Sequence, residues 1–193
     1  TCGYPYATEL MGKVQLVGTP HFAVEGCTGP SYSSAVIVRK DAPYHCVKDA
    51  QKASFAYNGT NSMSGYRCLK PLVGDPVDYF SSSIESGGHR ISATIVAANE
   101  ADLAAIDSVC WHHLNTLEPG LAAQLKVLSW TASVPALPFI TSNVMPSNEL
   151  AQVRTALREA ICASASDDIA GQLAMRELTV LADDDYAPLA ALR

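Results

Sequence analysis

Three short stretches of this chain carry side chains suited to holding oxygen atoms. The first is AYNGTNSMSGYRCL, residues 56–69, where a strand-like entry gives way to Asn61, Ser62, Met63 and Ser64 ahead of a helix-compatible run. Hydroxyls beside the N–H groups of a helix start suit an anion, and Gly65 permits close backbone approach. The same serines also serve as ordinary helix caps. The second stretch is SIESGGHRIS, residues 83–92, in which a strand ends, Gly87 and Gly88 turn the chain, and His89 opens a helix with Ser92 one turn later. His89 adds a group that is neutral or charged near pH 7. The third is Asp107, which follows Ala104-Ala105-Ile106 and reads as a helix N-cap, a ligand contact, or both through its two oxygens. Beside an anion its charge is repulsive unless the ligand brings a proton or a cation.

Other chemistry fits these residues less well. Ser62 or Ser64 with His89 and Asp107 can be written as a hydrolytic triad, but Asn61-Ser62-Met63-Ser64-Gly65 does not match the Gly-x-Ser-x-Gly nucleophile elbow. In Cys110-Trp111-His112-His113 the adjacent histidines point to different sides of a helix, so no metal site and no cofactor is expected. The formal net charge of −6 comes without a basic stripe, which argues against nucleic acid. No apolar run approaches the roughly 20 residues that span a bilayer. With 48% hydrophobic and 17% charged residues, the 193-residue chain is rich enough in apolar side chains for a packed core. None of the six cysteines forms a Cys-x-x-Cys pair. Cys2 and Cys27, both in Gly/Pro-rich turns, are the first pair to expect as a disulfide, with incidental thiols as the alternative. The opening Thr1-Cys2-Gly3-Tyr4-Pro5 carries no signal peptide and does not resemble a natural start, so a fragment is expected.

The elements that position these residues alternate. Strands are expected at 13–17, 34–39, 53–57, 79–84, 101–106 and 125–130, and helices at 64–72, 89–98 and 109–117, with a short helix inside 41–52 and an extended stretch at 133–142. Ser147 or Asn148 caps a helix bearing Leu150, Val153, Leu157 and Ile161. Ser166 caps another through Ile169, Leu173 and Met175, and Asp183 to Tyr186 form an acidic surface segment. The pattern is α/β, with mixed, mostly parallel sheets flanked by helices. In such sheets ligands gather beyond the carboxyl ends of the strands.

Taken in order, Tyr32 before a V-I-V strand, Ser-x-Ser-Gly, Ser-Gly-Gly-His with Ser92, A-D-L-A-A-I-D and V-P-x-L-P resemble the PhnD-like phosphate/phosphite/phosphonate-binding proteins of ABC importers, a branch of the type II periplasmic binding fold. The resemblance implies two lobes, residues 1–45 with 134–193 and residues 46–133, with a small anionic ligand in the cleft between them. It implies an ABC permease as partner, a periplasmic or cell-envelope location, and no catalysis. The matching ligand positions are Tyr32, Asn61, Ser62, Met63, Ser64, His89 and Asp107. Departures are Met63 where a small polar residue is favoured, Gly88 where a hydroxyl residue is frequent, and the absence of the βα units that family members carry before the Cys-Gly-Tyr-Pro region. A hydrolase, or a degenerate sensory or interaction domain, is the alternative.

Overall fold

The computed structural model describes residues 1–163 and 172–192. Among these, eleven strands form: β1 Val14–Phe22, β2 Cys27–Thr28, β3 Ser31–Tyr32, β4 Ser34–Arg39, β5 Ser54–Tyr57, β6 Ser82–Glu85, β7 Leu103–Asp107, β8 Leu125–Trp130, β9 Val134–Pro135, β10 Phe139–Ser142 and β11 Met175–Thr179. The chain divides into two compact units, residues 1–32 with 134–193 and residues 33–133. The boundaries thus fall at 32/33 and 133/134, against the 45/46 and 133/134 read from the sequence. The first moves because β4 pairs with β7 and β8 inside the second unit.

In the first unit, β1 is the long central strand. It pairs antiparallel with β10 over its first half and with β11 over its second. The expected strand at 13–17 therefore runs on to Phe22, held by two neighbours in succession. A register shift between Leu16 and Gly18 breaks the β1–β10 ladder. Arg154 answers it by donating from Nη2 to the Leu16 carbonyl at 2.6 Å and from Nε to Val17 at 3.2 Å. Arg154 therefore takes the inward position expected for Val153, which is 39% exposed. The helix Ser147–Cys162 starts behind Pro146, and no side chain among the described residues caps it, so neither Ser147 nor Asn148 is its cap. Tyr186 is fully buried, its hydroxyl donating to the Ala136 carbonyl at 2.8 Å, so the acidic segment Asp183–Tyr186 is a short helix pinned by its last residue. The expected Cys2–Cys27 disulfide does not form, and all six cysteines are thiols. Met175 lies in β11 and not in a helix, while Ser166 and Ile169 fall outside the described residues.

The second unit is a five-stranded sheet in the order β6-β5-β7-β4-β8. β5 runs parallel to β6 and β7, whereas β4 runs antiparallel to β7 and β8, so the parallel share is smaller than expected. Ala35, Ile37, Ala56, Ala93, Ala104 and Ile106 form its core, the alanines letting the helix His89–Ala97 lie close on the sheet. The strand expected at 79–84 begins only at Ser82, because Asp75 caps a helical turn, Pro76–Tyr79, through Val77 N–H at 3.1 Å. The helix expected at 64–72 is instead irregular, with turns through Tyr66, a tight turn Arg67–Leu69, then Lys70–Val73. Among the described residues no helix is long and apolar enough to cross a membrane.

Candidate functional site

Three parallel strands of the second unit end at one edge of its sheet. Tyr57 of β5 pairs with Glu85 of β6, and Ala56 with Ala104 of β7. Beyond these ends lie the serine loop, the Gly87-Gly88 turn and the start of the helix Ser108–Leu117. β4 begins at the same edge, Ser34 opposite Asp107, and β8 ends there, so the chain enters and leaves the unit beside these loops. This is the edge of an α/β sheet where ligands collect.

Ser64 and His89, 25 residues apart, meet there, with Ser64 Oγ 2.9 Å from His89 Nε2. Asn58 Nδ2 reaches the same nitrogen at 3.4 Å. An amide nitrogen only donates, so Nε2 accepts and the ring proton sits on Nδ1. Burial pushes the His89 pKa down to about 4, the Ala105 backbone opposing this in part. His89 is therefore neutral at pH 7, a polar anchor rather than the charged donor its position allowed. Asn58 Oδ1 is buried and closes no hydrogen bond among the described residues, which costs on the order of 1–3 kcal/mol for an atom left without a partner. Asn58 was missed in the sequence because its contact depends on Gly65: a Cβ there would lie 1.5 Å from Asn58 Oδ1.

The remaining sequence-derived residues divide. Ser62 Oγ accepts from Gly65 N–H at 3.0 Å and closes the loop locally. Asn61 is exposed at the loop surface. Met63 is 1% exposed and belongs to the core, so its side chain is packing. Ser92, also fully buried, bonds Ser86 Oγ at 2.6 Å and fixes the turn that Gly87 makes at φ +80°. Asp107 is 3% exposed, and its Oδ1 accepts from Val109 N–H at 2.8 Å and Cys110 N–H at 3.3 Å. Burial raises its pKa, and the two N–H bonds partly offset this. No hydrogen bond joins Asp107 to His89 among the described residues, so the third member of a triad is otherwise engaged. Tyr32 lies in the first unit, buried in β3 opposite Cys27 and Val134. Among the described residues no cluster of three or more His, Cys, Asp and Glu is placed to hold a metal.

The two helices that start at this edge differ at their first turn. The helix Ser108–Leu117 is capped by Asp107. The helix His89–Ala97 has Gly88 at its cap position and no side-chain cap among the described residues. Its first turn keeps the anion-attracting character of an open helix N-terminus.

Solved structures share the fold. One is a binding protein component of an ABC phosphonate transporter from Pseudomonas aeruginosa, with TM-score 0.72, 23% identity, and 89% of this chain and 59% of that one covered. Another is PhnD1 from Prochlorococcus marinus in complex with methylphosphonate, with TM-score 0.76, 12% identity, and 93% and 70% covered. A third, from Xanthomonas citri and bound to ATP, has TM-score 0.70, 19% identity, and 98% and 74% covered. These are type II periplasmic binding proteins, and the mixed α/β fold expected from the sequence is theirs. The chain spans 59% of the length of the Pseudomonas protein. No curated protein matches. A profile described as "ABC transporter, phosphonate, periplasmic substrate-binding protein" matches residues 11–186, and the chain belongs to that family.

Proposed function

We propose that this protein captures a small oxyanion of the phosphonate type for ABC-type import from the periplasm or cell envelope, and that it makes and breaks no bond. The observation that carries the reading is the Ser64–His89 pair at the start of a helix that lacks a side-chain cap. Helix N-termini hold oxyanions through backbone N–H groups, and the neutral His89 ring, held by Ser64 and Asn58, fixes the first turn that presents them. The Prochlorococcus neighbour's methylphosphonate complex supports the ligand class. We further infer that the two compact units are the two lobes of the family's fold, and that a permease is the partner. A hydrolytic role is disfavoured on chemical grounds, since a histidine with a pKa near 4 is a weak base and Asp107 does not orient it.

Calorimetry with methylphosphonate, phosphite, phosphate, a sulfonate and a small carboxylate tests this. At least one phosphorus oxyanion is expected to bind, and Ser64→Ala or His89→Gln, which undo the contact that fixes the open first turn, to weaken it by roughly tenfold, about 1.4 kcal/mol. Absence of any binding, or variants that bind like wild type, rejects the site. Phosphoester turnover that vanishes with Ser64→Ala would instead favour catalysis.

A further inference from the structure

Asn58 and Gly59 make the one Asn-Gly step in the chain; every other asparagine is followed by a residue with a side chain. The step lies just past the end of β5, at the edge where Ser64 and His89 meet. The Asn58 amide is anchored there by a single long contact. Its Nδ2 lies 3.4 Å from His89 Nε2, beyond the roughly 2.7–3.2 Å of a firm N–H hydrogen bond, and its Oδ1 is the orphan acceptor described above. The Gly59 N–H donates no hydrogen bond among the described residues, so the backbone nitrogen next to that amide is uncommitted. Gly59 also has no Cβ to shield it, and its surroundings are open: a Cβ built there would meet Glu85 Oε1 at 3.8 Å. An asparagine amide beside such a nitrogen is open to intramolecular attack, one reason asparagine counts among the thermolabile residues.

We propose that Asn58 is a site of spontaneous deamidation and that the carboxylate formed there shuts the anion site. The Gly59 nitrogen bonds to Asn58 Cγ and gives up its proton, Nδ2 takes up a proton and leaves as ammonia, and a cyclic imide remains. Water then opens the imide at either carbonyl, giving aspartate or isoaspartate in place of Asn58. Aspartate sets a negative charge beside His89, the first residue of the uncapped helix, where it repels an incoming oxyanion and competes for the positive helix end. Isoaspartate also lengthens the backbone and shifts the loop that carries Ser64. The loss of binding rests on the proposed anion site; the chemistry at Asn58 does not.

The test incubates the whole chain at mildly alkaline pH. Peptide mass mapping with isoaspartate labelling follows each asparagine, and calorimetry follows methylphosphonate binding. Asn58 is expected to convert faster than every other asparagine, and the binding-competent fraction to fall in step with it. Gly59→Ala, at a position with no left-handed φ and with room for a methyl group, is expected to bind like wild type when fresh and to keep its binding on incubation. Asn58→Asp is expected to bind at least about tenfold more weakly than wild type from the start. An Asn58 that stays intact, or converts no faster than Asn61, overturns the proposal. Conversion at Asn58 with undiminished affinity, or an equal loss of binding in Gly59→Ala, overturns the shut-off. Fresh protein that binds no phosphorus oxyanion overturns the anion site and the shut-off together, while the mass map still decides the chemistry at Asn58.

Discussion

Two helices begin at the same edge of the same sheet, each after a parallel strand, and their first turns are built in opposite ways. At the helix Ser108–Leu117, Asp107 turns one carboxylate oxygen onto two backbone N–H groups and satisfies the helix end from within. At the helix His89–Ala97 the corresponding position is Gly88, which has no side chain to offer, and the turn before it is locked by Ser86 and Ser92 instead. The first end is finished as structure. The second is left open, and Ser64, Asn58 and His89 gather beside it. The lesson is that withholding the cap, with the surrounding polar groups held by something else, leaves a helix start able to receive an anion, which is what the proposed function requires.

The sharpest way to break this contrast is at the support of the open end. Gly65→Ala would drive a methyl group into Asn58. A loss of roughly 1–3 kcal/mol in denaturant stability is expected, as for an overpacked core, together with weaker anion binding. Adding Asn58→Ala should restore much of the stability but not the binding. Unchanged stability in Gly65→Ala would show that the loop is not held this way.

At the finished end, Asp107→Ala should lower stability by about 1 kcal/mol through loss of the cap, with the Ser108 helix rather than the His89 helix showing faster amide exchange. Asp107→Asn should cost less, since the amide oxygen still accepts both N–H bonds. Because burial raises the Asp107 pKa in the folded state, the wild-type carboxylate weakens the fold as pH rises past its unfolded pKa, and the Asn variant should lack that loss. A stability profile in the acid range, identical for both proteins, would contradict this.

The same end can also be read through the proton linkage of His89. Its pKa falls from 6.5 to about 4 on folding, so the unfolded chain binds the extra proton first. The stability contributed by the neutral ring is complete above about pH 6.5 and is lost as pH falls toward 4. His89→Gln should flatten the urea-midpoint profile across that window. An unaltered profile would place the titrating group elsewhere.

Much of this was legible in the sequence where one force dominates. The run Ser34–Arg39 is continuous and β-branched, and it forms β4 at its expected bounds. Asp107 reads as a cap and is one. The juxtaposition of Ser64 with His89 was anticipated from two strand ends carrying similar small residues, although the mechanism differs. Ser64 acts through its side chain from an irregular loop, because Ser62 and Gly65 bond each other and Tyr66 leaves helical geometry at φ −139°. What stayed hidden depends on contacts far apart in the chain. Arg154 faces inward only because β1 has a bulge for it to fill, and Asn58 matters only because Gly65 makes room. Met63, polar in its neighbours but not in itself, follows its own hydrophobicity into the core.

The central claim is that the His89 helix binds an anion because its cap is missing, and Gly88→Asp tests it most directly. Gly88 sits at φ −172° and ψ 153°, an extended conformation open to any residue, and a Cβ there meets nothing within 4 Å. The substitution should copy Asp107, raising stability by a few tenths of a kcal/mol, since glycine is itself a tolerable cap. In calorimetry it should lower methylphosphonate affinity by well over tenfold, with Gly88→Asn giving an intermediate loss because it caps without charge. Full methylphosphonate affinity in a stabilised Gly88→Asp protein would contradict the account.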